Sequence, residues 1–293
     1  MKDRLKFIVA MLTFGTVGIL VRWINLPSGM IALVRGSIAT LLLYILSRFT
    51  KDKADKDVLK KNMLLLVLSG AGIGFNWILF FEAQRHTTVA VATLCYYLAP
   101  VFIILLSPIA LKEKLTLKKS ICVAIALVGM IFVSGVLEGG GIYGTDFKGV
   151  LFGISAAGLY AIVVIMNKKL VGLGGFDRTL FQMGFATLAL IPYVLLTQWG
   201  TPLPLSVRSV ILLLILGVLH TGICYAMYFS ALKELPAQTS SILSYIDPVS
   251  AIIFANIFLH ESLSVFGTVG AVLILGSMLV SEINLKMKNK KDA

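Results

Sequence analysis

AQTSSILSYIDPVSAIIFANIFLHE, Ala237 to Glu261, is an apolar run long enough to cross a bilayer, with Asp247-Pro248 near its middle and a glutamate at its end. The same layout stands earlier, in VAVATLCYYLAPVFIILLSPIALKE, Val89 to Glu113. Pro100 precedes Glu113 by thirteen residues, and Pro248 precedes Glu261 by thirteen. A shift of 148 residues also sets Tyr97 on Tyr245, Gly74 on Gly222 and Phe81/Ala83 on Phe229/Ala231. Past the glutamates the shift becomes 147, and Gly129 and Ser134 meet Gly276 and Ser281. The chain is two copies of one unit, and that repeat governs everything else.

Of the 293 residues 58% are hydrophobic and only 14% charged, where soluble domains average roughly 25% charged. A bilayer-spanning helix needs about 20 mostly apolar residues. Ten segments qualify: 5–21, 30–47, 63–82, 89–111, 120–137, 149–166, 178–198, 209–231, 237–259 and 265–285. Alternating strands of about ten residues, the mark of a membrane barrel, are not seen. The fold class expected is an all-α membrane protein with ten transmembrane helices.

A net charge of +12 invites a nucleic-acid reading, but the placement of the charges argues otherwise. With the first residue in the cytoplasm, most Lys and Arg fall in the N-terminal arm, 48–61, 112–119, 168–178 and the tail. That is the positive-inside bias, so both termini are expected in the cytoplasm. No loop interleaves basic with aromatic residues as a stacking platform for nucleic acid requires. The N-terminal MKDRLK and its apolar run lack a small-residue cleavage site and read as an uncleaved first helix. Cys95, Cys122 and Cys224 all lie inside spans without metal-ligand spacing, so core packing is expected of them.

Five spans per copy is an odd number, so the second copy enters the membrane from the opposite side. Inverted repeats of this kind build secondary transporters, with the site near the midplane between the halves. The expected units are a first repeat over 1–138, an outside linker over 139–148, a second repeat over 149–285 and a basic tail over 286–293.

The blocks AP…LKEKLT…ALVGMIFVSG and DP…LHESLS…LILGSMLVS resemble the ends of the two units of EamA-type transporters in the drug/metabolite transporter superfamily. The resemblance covers essentially the whole chain. It implies ten helices in a 5+5 inverted repeat, with helices 1–4 and 6–9 around a central cavity and helices 5 and 10 at its edge. Asp247, where the first copy has Ala99, and His260 depart from the general pattern.

Ionisable groups in hydrocarbon cost about 2.5–3.5 kcal/mol at a helix centre and usually face an aqueous cavity. Asp247 is the sharpest case, on a polar stripe with Ser240, Ser244 and Ala251. Pro248 loosens the helix beside it, and Pro100 does the same in the first copy, so both are candidate kinks for gating. His220 shares a helix face with Cys224 and Tyr228; its alternatives are a neutral packed imidazole or, with Asp247, a proton-coupling pair. Arg35 either snorkels, pairs with a carboxylate, or holds a substrate anion in a bidentate contact. Asn76, Trp77, Tyr97 and Tyr245, with Ser244, complete the candidate substrate site, their rings suited to an ammonium group. Glu82 is expected at an interface, and Glu113 and Glu261 at helix ends that they cap or tie.

No P-loop, HExxH or GxSxG motif is present, so neither nucleotide hydrolysis nor enzymatic catalysis is expected, and no cofactor or metal. The expected function is secondary active transport in the cytoplasmic membrane. The cargo is a small polar metabolite, an amino acid or related zwitterion moved outward by alternating access, with protons as the candidate coupling ion. Two alternatives stay open: export of cationic amphiphiles or quaternary ammonium compounds, and a lipid-carrier flippase or non-transporting scaffold. Partners are the small-molecule substrate and the bilayer, without nucleic acid or nucleotide.

Overall fold

Inside a bilayer a backbone must satisfy its own hydrogen bonds, and apolar runs of this length do so as helices. The computed structural model describes residues 2–49, 55–112, 115–133, 137, 145–198, 205–225, 227–228, 231, 235 and 243–282. The helices are α1 (Lys2–Trp23), α2 (Ser28–Ser47), α3 (Lys56–His86), α4 (Val89–Ala110), α5 (Leu117–Val133) and α6 (Thr145–Lys168). There follow α7 (Gly175–Gln198), α8 (Val207–Ile223), α9 (Ile246–Leu259) and α10 (Val265–Glu282). Among the described residues there is no strand. Six of the helices are long and apolar enough by themselves to cross a membrane. Glu113, Ser240, most of the linker and the basic tail lie outside the described residues.

Helix α3 exceeds the expected span 63–82 at both ends and runs for 31 residues. Hydropathy saw only its apolar middle. Its polar first turn is held by Asp55, whose carboxylate accepts from the Asp57 backbone N–H.

The packing of the two copies has the exchange pattern of a pseudo-two-fold axis. Helices α2 and α7, α4 and α9, and α5 and α10 each pack on their own counterpart. The contact of α1 with α9 is matched by that of α6 with α4, and α3 on α7 by α8 on α2. The α5–α10 pair crosses closely enough that a Cβ added at Gly129 would sit 2.9 Å from the Gly270 carbonyl oxygen. Small residues at such crossings let backbones approach where lipid supplies no hydrophobic drive. Cys95, Cys122 and Cys224 are buried and free.

Four helices depart from regular α geometry. Helix α1 breaks at Gly15-Thr16, and α4 breaks at Tyr97-Leu98 just before Pro100. Helix α9 begins after a turn at Tyr245, so Asp247 and Pro248 sit in its first turn rather than mid-helix. Proline is tolerated there because early helical N–H groups have no intrahelical partner. Helix α8 winds as a π-helix over Ile215–Ile223.

Gly129→Leu should overpack the α5–α10 crossing and lower stability by about 1–3 kcal/mol. Thermal unfolding of the purified protein in detergent checks this, with Gly276→Ala, which meets nothing within 4 Å, unchanged as the control.

Candidate functional site

The interrupted segments of α1, α4 and α9 converge with α3, α6, α7 and α8 on a cavity of about 510 Å³. A second hollow of about 580 Å³ lies between α5 and α10, lined by side chains such as Leu117, Ile121, Val272 and Val280. Its exposed lining is almost wholly apolar, as a lipid-facing groove should be, with Lys118 and Ser277 among the few polar residues around it.

The cavity wall contributed by α9 carries Ser244, Asp247 and Ala251. Tyr97 at the α4 break donates its hydroxyl to Asp247 Oδ2 at 2.9 Å. Each copy therefore supplies one member of the pair from the same place in its unit. Helix α1 presses against this turn: a Cβ at Gly15 would lie 3.1 Å from the Asp247 carbonyl and 3.0 Å from the Ala251 nitrogen. Tyr245 packs its ring on Tyr97 at 6.5 Å between centroids. It sits within the α4–α5–α10 core and is not among the residues of the cavity wall, so it supports Tyr97 instead of facing a substrate.

Arg35 on α2 also lines the cavity. Only 6% exposed, it does not snorkel, and among the described residues it forms no ion pair with a carboxylate. Its Nε donates to Thr221 Oγ1 at 2.9 Å, and its guanidinium lies 4.8 Å from the Trp77 ring centroid. Delocalised and weakly hydrated, a guanidinium suits such a stacked, desolvated place better than an ammonium would. Thr221 is itself positioned by the π turn, donating to the Leu216 carbonyl five residues back at 2.9 Å.

Asn76 is a girder as much as a lining group. Its amide donates to the Ala156 carbonyl at 2.6 Å and its oxygen accepts from Tyr96 at 3.3 Å, fixing α3, α4 and α6 around the cavity. Gln84 also lines it, and its buried Oε1 has no donor among the described residues.

His220 is placed elsewhere. It is 2% exposed, with Nε2 at 2.8 Å from Thr16 Oγ1 and Nδ1 at 3.2 Å from the Ile215 carbonyl. The carbonyl requires the proton on Nδ1. The expected Asp247–His220 contact is thus not formed, since both imidazole nitrogens are engaged by α1 and α8.

At one end of the bundle Glu261 joins both repeats. Its Oε1 accepts from Arg22 Nη2 at 2.8 Å and its Oε2 from the Val89 backbone N–H, the first of α4, at 2.7 Å. His260 makes this possible by taking the left-handed conformation at φ 54°, which ends α9 and turns the next side chain back toward α4. Lys112, at the corresponding place after α4, has φ 57°, so α4 and α9 end on the same left-handed turn. Glu82 lies at this end too, 3.5 Å from His86 Nδ1.

The model of the EamA-like transporter family matches the sequence twice, over residues 4–135 and 147–282. The chain belongs to the EamA-like transporter family. It is 28% identical over 284 residues to the uncharacterized transporter YxxF of Bacillus subtilis (strain 168), covering 97% of this chain and 90% of that protein. It is 24% identical over 233 residues to the protein PecM of Dickeya dadantii (strain 3937), covering 78% and 76%. A solved crystal structure shares the fold at a TM-score of 0.63 and 19% identity, with 96% of each chain covered. This EamA-family chain is a multi-pass membrane transporter.

Composition and motif reading missed several lining residues. Phe14 and Gly15 of α1, Tyr160 of α6 and Arg178 of α7 all face the cavity. Arg178 passed for one more positive loop charge, and only its place one turn before Gln182, on the face that α7 turns inward, could have marked it.

In a double-mutant cycle of Arg22→Gln and Glu261→Gln, we expect a coupling near 1 kcal/mol in thermal stability, because Arg22 is one-third exposed. Additive effects would show that the tie holds nothing together.

Proposed function

We propose that this transporter exports a small zwitterion, an amino acid or close analogue, by alternating access across the cytoplasmic membrane, with protons as the coupling ion. The observation that carries the reading is one cavity lined by both Arg35 and the Asp247–Tyr97 pair. A guanidinium offers paired donors to a carboxylate, while Asp247 and the unpartnered Gln84 oxygen offer acceptors to an ammonium. The positive-inside bias puts both termini in the cytoplasm, so the Glu261 tie closes the outer end and Arg178 faces the cytoplasmic end. Release of that tie is one half of the access cycle in this reading.

The aromatic lining, which includes Phe14, Trp77, Phe80, Tyr96 and Tyr160, favours a second reading, export of quaternary ammonium compounds by cation–π attraction. Two arginines lining the same cavity oppose a cation without a carboxylate, since charge repulsion is weakly screened in such a site.

Reconstituted protein on a solid-supported membrane should give transient currents with neutral amino acids and none with tetraalkylammonium ions. Arg35→Gln should lower apparent affinity about tenfold to a hundredfold, the worth of a hydrogen bond to a charged group at 1.5–3 kcal/mol. Asp247→Asn should leave exchange running while removing its dependence on a proton gradient. Currents with the ammonium ions alone, or proton-coupled transport that survives in Asp247→Asn, would overturn the reading.

A further inference from the structure

Arg178 stands in the first turn of α7 and lines the same cavity as Arg35 and Asp247. Among the described residues no carboxylate pairs with it. Among the described residues the cavity carries two guanidinium groups and one carboxylate, a formal surplus of one positive charge when Asp247 is ionised. Arg35 is buried and Arg178 half-buried, and in a partly enclosed cavity such a surplus draws a ligand of opposite charge more strongly than it would in water.

The two arginines occupy different depths. Gly36 abuts Thr187, and Thr40 and Thr187 bring their hydroxyls to 3.3 Å, which sets Arg35 level with the Thr187 turn of α7. Arg178 precedes Thr187 by nine residues, about 14 Å along a helix at 1.5 Å per residue. An elongated solute with an anionic group at each end matches two cations set at two depths. Tyr160 and Tyr228 line the same cavity as Arg178.

We infer that Arg178 is a second anion-binding point, and that the preferred substrate is an acidic amino acid: two carboxylates for the two arginines and one ammonium for Asp247. This rests on the zwitterion reading above and narrows it. A neutral amino acid satisfies one arginine and leaves the other uncompensated; a dicarboxylate without an amine leaves Asp247 unmatched.

The test uses the full-length protein in proteoliposomes, with counterflow of labelled L-alanine and competition by L-glutamate, L-alanine and succinate. The wild type should prefer glutamate to alanine at least tenfold, and succinate should compete more weakly than glutamate. Arg178→Gln should collapse that preference about tenfold, and Arg178→Lys, which keeps the charge but loses the fork, should restore part of it. Because the readout is a ratio within each variant, a loss of folded protein does not mimic the effect. Alanine moved without any glutamate preference, or a preference intact in Arg178→Gln, would overturn this inference and leave the zwitterion reading standing. Succinate competing as well as glutamate would remove Asp247 from the assignment and overturn it also. Silence toward all amino acids would overturn both.

Discussion

Two helices that break in the middle of a membrane must hand their released polar groups to something other than water. In this bundle the hand-over is mutual: the α4 break presents Tyr97 and the α9 break presents Asp247, and the two meet at 2.9 Å. Asp247 stands in the first turn of α9, where unpaired N–H groups and the helix dipole favour an acceptor. The inverted repeat is what brings the breaks face to face: Tyr97 stacks on its own counterpart Tyr245, and Asp247 lies two residues beyond that counterpart. Without that symmetry, each proline would be a defect for its own helix to accommodate.

The same logic explains why a motif of proline and glutamate thirteen residues apart recurs. Proline fixes where the half-helix starts, and a left-handed residue fixes where it ends. The glutamate that follows is then delivered to a neighbouring element, as Glu261 is to Arg22 and the start of α4. The motif sets length and aim, and it says little about what passes between the helices. That is why family membership settles the architecture and leaves the cargo to the few charged groups on the cavity wall.

Spans, repeat and fold class were legible in the sequence because hydropathy and self-similarity are properties of long stretches. Asp247 and Arg35 were legible because a charge inside a span is expensive and must have a reason. Their partners were not. Arg35 rests on Trp77 and Thr221, and the Thr221 contact depends on a π turn that no residue pattern announces. His220 looked like a partner for Asp247 since both lie mid-span, but depth in the membrane says nothing about azimuth around a helix. Tyr245 matched Tyr97 in the repeat and still turned into the core, because only one of two stacked rings can own the cavity face. Arg178 was hidden by a rule that reads positive charges near helix ends as topology signals.

The way Arg35 is held has a consequence for speed and selectivity. A free arginine carries about 2 kcal/mol of rotamer entropy, which a ligand must overcome to align the fork. Here Thr221 fixes Nε and Trp77 fixes the plane, so that ordering is complete before any solute arrives. On the zwitterion reading proposed above, the cavity meets its cargo as a preset mould, in which a misplaced carboxylate gains little and a well-placed one loses little freedom on the protein side.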